Sequence, residues 1–224
     1  MLYYDIHTHR FRPEPDTVAV YNRIVPARGA SVPYATEPEQ TCGSASCYYS
    51  VGIHPWYIDA EETERQFSLF RDRVVLPRVI AVGEAGLDKL AAVPFALQEE
   101  VFRYQAAVAE ELRKPLLIHC VKAWGEMLAW RKKLSPRVPW VIHGFRGNPV
   151  LASQLLEHGF YLSVSDRFHP DLLSGELLPR LLLETDDRET DIKSVYRKAA
   201  SYFPTDEDTF GRKIAENVRE VFSI

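Results

Sequence analysis

Two histidines separated by one residue, His7 and His9, stand at the end of the apolar run Leu2 to Ile6. Side chains alternate between the two faces of a β-strand, so residues with this spacing point the same way, about 7 Å apart. One metal ion could therefore bind both imidazoles. A strand also carries two such histidines for ordinary structural reasons, so the pair alone leaves both interpretations open.

Four further apolar runs end in residues that commonly bind metals. They lead into Glu84, into His119, into His143 and into the stretch Glu184 to Asp186. Imidazole nitrogens and carboxylate oxygens suit Zn, Mn, Mg, Fe or Ni. The candidate ligands are His7, His9, Glu84, His119, His143 and Asp186. Six ligands are too many for one tetrahedral ion with an open position, so the set predicts two divalent ions.

Two of these candidates are carboxylates with a predicted catalytic part. Glu84 can bridge two ions through its two oxygens and hold them about 3.5–4 Å apart, as in two-metal hydrolases. A bridging water then loses a proton near neutral pH and becomes the nucleophile, and Asp186 is predicted to accept that proton as general base. The candidate ligands thus predict a metal-dependent hydrolase.

The elements that must position these residues are short strands alternating with helical patterns. The strand candidates are Tyr3 to His7, Thr17 to Asn22, Cys47 to Ile53, Val79 to Gly83, Leu116 to His119, Trp140 to His143, Phe160 to Val164 and Leu181 to Glu184. Alternation of this kind predicts a parallel sheet, and eight repeats predict an α/β fold of the (β/α)8 TIM-barrel type. In such barrels the carboxyl ends of the strands form the active-site face, which is where the candidate ligands lie.

One connection breaks the alternation. Residues Pro26 to Ser46 hold three prolines and two glycines and show little helical periodicity, so the helix after the second strand is predicted to be missing. No repeat, low-complexity tract or linker suggests a second domain, and residues 1–224 are predicted to form a single domain.

Composition narrows the possible partners and the compartment. The formal charge of −4 argues against a broad basic surface for long nucleic acid, but it is compatible with a nuclease whose metals grip a strand end. No apolar stretch approaches the length of a membrane span and no leader is visible, which predicts a cytoplasmic protein that does not contact membranes. The three cysteines are an odd number, and we expect reduced thiols.

The ordered motifs resemble those of TatD-type metal-dependent deoxyribonucleases of the amidohydrolase superfamily. They read D-I-H-T-H at Asp5 to His9, G-I-H-P at Gly52 to Pro55, G-E-A-G-L-D at Gly83 to Asp88 and E-T-D at Glu184 to Asp186, with His119 and His143 at their own strand ends. The resemblance implies that His7, His9 and Asp186 serve one metal and that His119 and His143 serve the other. Glu84 would serve both.

Three positions that face the substrate depart from this family pattern. His143 to Gly147 reads H-G-F-R-G where H-C-F-S-G is usual. Two positions after His119, Val121 stands where arginine is usual, with Lys122 next to it, and Asp187-Arg188 stands where Ala-Pro is usual. Arg146 and Lys122 are candidate phosphate clamps, since a guanidinium forks onto phosphate oxygens and an ammonium acts as a point charge. Solvated loop charges are the alternative for both.

Three further residues near these motifs have two interpretations each. His54 could contact a phosphate or a metal-bound water, or it could be a structural histidine of its loop. Asp88 could orient a ligand histidine or cap the next element. Trp56 could stack on a base or pack over the mouth of the barrel.

Three functions remain possible. The first is a divalent-metal-dependent phosphodiesterase, a deoxyribonuclease that attacks DNA strand ends. The second keeps the metals but acts on a small phosphoester, ester, amide, lactone or aminoacyl ester. The third is an interaction module that holds metal without catalysis.

Overall fold

The computed structural model describes residues 1–29 and 47–224. Eight strands pair in chain order within one sheet, and the pairs β1–β2, β3–β4, β4–β5 and β7–β8 are parallel. The strands are β1 (Tyr3–Thr8), β2 (Thr17–Ile24), β3 (Cys47–Gly52), β4 (Val79–Asp88), β5 (Leu116–Val121), β6 (Trp140–Ile142), β7 (Phe160–Val164) and β8 (Leu181–Leu183). The predicted α/β class, of the (β/α)8 type, is confirmed.

Helices follow most of the strands. They are α1 (Thr63–Val74), α2 (Phe95–Leu112), α3 (Trp124–Leu134), α4 (Pro149–Glu157), α5 (Ile192–Ala200) and α6 (Glu207–Phe222), with 3-10 turns at Pro55–Tyr57, Pro170–Leu172 and Leu178–Arg180. The described connection between β1 and β2 contains no helix. The predicted absence of a helix after β2 falls largely on residues 30–46, which lie outside the described residues.

Contacts along the chain divide it into two compact units. Within the described residues, the first comprises Met1–Tyr21, Cys47 and Val141–Ile224, and the second comprises residues 22–29 and Tyr48–Trp140. Each is described separately below. The predicted single domain over residues 1–224 stays a prediction.

In the first unit, the last strand returns to the first. Thr8 forms a parallel bridge with Asp186, just beyond β8. Helix α6 packs on both β1 and β8. It begins at Asp206, whose side chain accepts a hydrogen bond from the Thr209 amide as an N-cap. Its buried face has helical spacing and includes Phe210, Ile214, Val218, Val221 and Phe222.

In the second unit, three buried glutamines on helices hold the segments that follow the strands. The Gln105 side chain accepts from the Ile53 amide at 2.7 Å and donates to the Ile53 carbonyl at 3.0 Å. Gln98 accepts from the Asp88 amide at 2.8 Å, and Gln66 donates to the Tyr57 carbonyl at 2.7 Å. Each glutamine satisfies backbone groups that would otherwise be buried without partners. The chain beyond β3 and β4 is therefore anchored from the helix layer.

The cysteines differ from expectation. Cys47 is disulfide-bonded, so the expectation of a reduced thiol is wrong for that residue. Cys120 is free and buried, and burial raises the pKa of its thiol to about 12. A thiol that rarely ionises is a poor nucleophile and metal ligand. Among the described residues, no helix combines the length and apolar character needed to cross a membrane.

Candidate functional site

Asp186 is placed by backbone hydrogen bonds to the end of β1. Its amide donates to the His7 carbonyl at 2.9 Å, and its carbonyl accepts from the His9 amide at 3.1 Å. The residue has a left-handed backbone with φ of 56°, which aspartate tolerates better than most side chains. The turn after β8 therefore delivers the Asp186 carboxylate beside both histidines.

The three side chains converge as metal ligands do. Oδ1 of Asp186 lies 3.7 Å from Nε2 of His7 and 3.5 Å from Nε2 of His9. Bonds of about 2.0–2.1 Å to a tetrahedral ion would set neighbouring donors roughly 3.3 Å apart. The separations observed are close to that value, so this donor set fits one divalent ion. The prediction that His7 and His9 point to the same side is confirmed.

His143 and Glu184 complete the Asp186 cluster, a name used here for His7, His9, His143, Glu184 and Asp186. Nδ1 of His143 lies 3.6 Å from Oε1 of Glu184, and this oxygen accepts a hydrogen bond from the Gly144 amide at 2.6 Å. The other oxygen, Oε2, is buried and has no hydrogen-bond partner within the described part of the chain. A buried carboxylate oxygen in this state calls for a cation or a proton. Glu184 is thus a potential ligand in addition to the six candidates named from the sequence.

The second unit contains its own group, the Glu84 cluster, which consists of Asn22, His54, Glu84, Asp88 and His119. Oε1 of Glu84 lies 3.0 Å from Nδ1 of His119 and 3.1 Å from Nε2 of His54. Ligand atoms of these three side chains lie close enough together to hold one ion. The carboxylate is almost fully buried, so two imidazoles and a cation are suitable compensation for its charge.

Asn22 orients Glu84 through both ends of its amide. Its Nδ2 donates to Oε2 of Glu84 at 3.1 Å, and its Oδ1 accepts from the Glu84 backbone amide at 3.0 Å. The Ser50 hydroxyl donates to the same Oδ1 at 3.2 Å, which fixes the orientation of the amide. One carboxylate oxygen is thereby assigned to Asn22 and the other to the imidazoles. Sequence reasoning missed this role, although Asn22 ends a predicted strand, where site residues are expected.

Asp88 holds the opposite side of the His119 ring. Its Oδ2 lies 3.0 Å from Nε2 of His119 and accepts a 2.6 Å hydrogen bond from Nε1 of Trp56, while Oδ1 accepts from the Leu90 amide at 2.8 Å. Burial opposes ionisation, but these hydrogen bonds outweigh it and hold the pKa of Asp88 at about 2. This arrangement supports the interpretation of Asp88 as the residue that orients a ligand histidine.

The backbones of β4 and β5 approach closely beside this cluster. Gly86 pairs with His119 across the two strands, and a Cβ atom at Gly86 would collide with the His119 carbonyl. Glycine is required here for lack of space rather than for unusual dihedral angles. The distance between the strands that carry Glu84 and His119 is therefore set by backbone contact.

The predicted substrate-binding residues lie in different settings. His54 is buried in the Glu84 cluster, with Nε2 on Glu84 and Nδ1 accepting from the Trp56 amide at 3.1 Å. Arg146 and Lys122 are exposed, and neither side chain has a hydrogen bond or an ion pair with the described residues. Their charges are available to an anion. All three substrate contacts stay predictions.

A model of the family described as TatD related DNase matches residues 30–223. The chain belongs to this family, as the motifs around its two histidine and carboxylate clusters predict.

Several curated relatives share about a third of their aligned residues with the chain. It is 32% identical over 156 residues to the 3'-5' ssDNA/RNA exonuclease TatD of Citrobacter rodentium, covering 62% of this chain and 57% of the relative. It is 31% identical over 175 residues to the protein of that name from Klebsiella pneumoniae, covering 70% and 64%. A metal-dependent hydrolase of Bacillus subtilis, YabD, is 33% identical over 149 residues, covering 62% and 58%. The chain thus spans less than two thirds of the length of these relatives.

Solved structures support the fold. The YJJV protein of Escherichia coli, a TatD homologue, superposes with a TM-score of 0.77 at 19% identity, covering 99% of this chain and 98% of that one. A TatD-family hydrolase of Entamoeba histolytica gives a TM-score of 0.73 at 17% identity with the same coverage. Such low identities with high coverage establish a shared fold.

Proposed function

We propose that the chain is a divalent-metal-dependent phosphodiesterase that degrades DNA from a strand end. The observation that carries this proposal is the convergence of His7, His9 and Asp186, whose donor atoms are spaced as around one ion. Membership of the TatD-related DNase family, and relatives named as single-strand exonucleases, support a phosphodiester substrate.

Two ions are proposed, one for each cluster. His7, His9 and Asp186 would hold one, and Glu84 and His119 would contribute ligands to the other, while His54 would donate from Nε2 to Glu84. Zn, Mn, Mg, Fe and Ni all suit these donors. When bound, divalent ions polarise the phosphoryl group and acidify water near neutral pH. The family resemblance predicts that both ions share Glu84 and that His119 and His143 bind the same ion. This arrangement stays a prediction.

The protein's own residues would supply proton transfer and positioning. Asp186 is 16% exposed at its side chain, so its carboxylate can reach a water molecule and accept its proton as general base. Glu84 is held by Asn22, which fixes the direction of its carboxylate group. Arg146 and Lys122, exposed at the ends of β6 and β5, would attract the phosphates of the substrate.

Substitution of the two carboxylates tests the proposal. Asp186→Asn and Glu84→Gln are expected to lower the cleavage rate of end-labelled single-stranded DNA by about 10²–10⁴-fold. Asp171→Asn, which changes an exposed carboxylate in the turn Pro170–Leu172, is the control and should cleave normally. Chelation should abolish cleavage, and added divalent ion should restore it. Undiminished turnover by either variant or by chelated protein would contradict the mechanism.

A small ester or phosphoester is the second candidate substrate. It is favoured by Arg188, which stands where the family resemblance predicts proline. Arg188 donates through Nε to Oδ1 of Asp166 at 3.2 Å, so its charge is partly engaged within the protein. Rates on single-stranded DNA and on a panel of small esters, amides and lactones, measured side by side, separate the two. Absence of turnover on the whole panel would favour a metal-holding module instead. The cytoplasmic location stays a prediction.

A further inference from the structure

An exposed tryptophan borders the Glu84 cluster. Trp56 is 57% exposed, although most large apolar residues of the described chain are buried. Its ring centroid lies 5.1 Å from that of His54 and 5.8 Å from that of His119, and both contacts are edge-on. The indole therefore presents a free aromatic surface beside two imidazoles of the proposed metal site.

The backbone under Trp56 is fixed. The residue lies in the 3-10 turn Pro55–Tyr57, which His54 caps by accepting from the Trp56 amide. At the end of the turn, the Gln66 side chain donates to the Tyr57 carbonyl and accepts from the Asp59 amide, each at 2.7 Å. The turn is thus hydrogen-bonded at both ends.

The indole itself is held at one edge. Its Nε1 donates to Oδ2 of Asp88 at 2.6 Å, and the other oxygen of Asp88 binds the Leu90 amide. Leu90, whose amide makes that bond, is also exposed, at 66%. A ring that is already immobilised loses little conformational entropy when a ligand packs on it.

We propose that Trp56 is a stacking platform for a nucleobase of the substrate, adjacent to the phosphate that the Glu84 cluster would bind. This inference rests on the proposed function. It adds a binding position for the base, the part of the nucleotide that the metals would not contact. Every base has a π-face, so stacking on an indole binds single strands with little sequence preference. The partner is a flat aromatic base rather than an aliphatic group, because the hydrogen-bonded indole offers its face.

A double-mutant cycle between protein and substrate tests the proposal. Two end-labelled strands are compared, identical except that one carries an abasic nucleotide at the position cleaved. Wild-type protein is expected to lose about tenfold in kcat/KM on the abasic strand, equivalent to about 1.4 kcal/mol, mainly through KM. Trp56→Leu should cleave both strands equally.

Two further variants separate stacking from a structural role. Trp56→Phe keeps an aromatic face but loses the hydrogen bond to Asp88, and it should keep most of the preference for a base. Trp130→Leu removes another indole that donates to a carboxylate, that of Glu99. This variant should keep the full preference for a base. If Trp56 only supported His119, Trp56→Leu would lower kcat on both strands while preserving their ratio, and the proposal would be overturned.

Binding without turnover gives a second measurement. In chelated protein, a short oligothymidylate should quench tryptophan emission in the wild type and in Trp130→Leu, and should quench it much less in Trp56→Phe. Equal quenching in wild type and Trp56→Phe overturns the stacking role. If the wild type cleaves no phosphodiester, the proposed function fails, and the fluorescence comparison alone decides whether Trp56 binds bases.

Discussion

Nε2 of His119 lies 3.0 Å from Oδ2 of Asp88, a buried carboxylate whose pKa is held at about 2. An ionised acceptor at this distance favours the tautomer that carries its proton on Nε2. The lone pair of Nδ1 then faces Glu84, in the direction where an ion would bind. Asp88 is therefore placed as a positioning residue for the His119 ring.

Asp88→Asn should weaken metal binding by about 10- to 100-fold, because an amide can present its NH2 group to Nε2 and no longer favours that tautomer. Cleavage measured against metal concentration should shift to higher concentrations while the plateau changes less. Asp72→Asn, on an exposed face of α1, serves as control. An unchanged metal dependence for Asp88→Asn would contradict the positioning role.

Asn22→Asp should destabilise the chelated protein at neutral pH by about 2 kcal/mol or more. It replaces the amide that donates to Glu84 with a second carboxylate at 3.1 Å, and buried like charges disfavour ionisation of both. Asn148→Asp is the matched control, since Asn148 caps α4 by accepting from the Leu151 amide and aspartate caps equally well. Urea unfolding of both variants at pH 7 checks the prediction. Equal free energies of unfolding for Asn22→Asp and Asn148→Asp would refute it.

Gly86→Ala should impair folding or displace His119, because the added Cβ has no room against the β5 backbone. Overpacking of this kind typically costs about 1–3 kcal/mol, and metal affinity should fall with it. Gly125→Ala tests the same chemical change in α3, where a Cβ meets open space and a modest gain of stability is expected. Thermal unfolding and metal titration of both variants distinguish the sites. A Gly86→Ala protein with wild-type stability would show that β4 and β5 can separate.

Asp5 should make the protein less stable as pH rises. Its oxygens accept hydrogen bonds from the Thr185 amide at 3.0 Å and from the Thr185 hydroxyl at 2.6 Å. Burial nevertheless dominates and raises the pKa of Asp5 from 3.8 to about 7. Between pH 4 and pH 7 the folded state therefore keeps a proton on Asp5 that the unfolded state has released. The contribution of this protonated carboxyl to the free energy of unfolding is full below about pH 4 and is lost as pH rises through 7.

The test is to measure unfolding free energy in chelator at pH 5 and pH 8 for wild type and Asp5→Asn. The wild type should lose on the order of 3 kcal/mol more than the variant, in which the titrating carboxyl is absent. Asp171→Asn, in an exposed turn, should follow the wild type. Parallel profiles for wild type and Asp5→Asn would refute the assignment.

Sequence periodicity was sufficient to predict the strands and the ligand types at their ends. His7 and His9 could be paired because the alternation of a strand is local. The roles of Asn22 and Glu184 could not be predicted in this way, because each depends on a partner from another strand, Glu84 in one case and the Gly144 turn in the other. The disulfide at Cys47 was likewise missed, since counting cysteines carries no information on which of them meet.

The buried glutamines Gln66, Gln98 and Gln105 have a consequence for how this protein would acquire its ions. They secure the segments that carry His54 and Asp88 through hydrogen bonds to helices, independently of any cation. Loss of an ion would therefore leave these segments in place, ready to be reloaded. Because imidazole and carboxylate donors accept several metals, the ion present in the cell would then follow supply and exchange rather than a single event during folding.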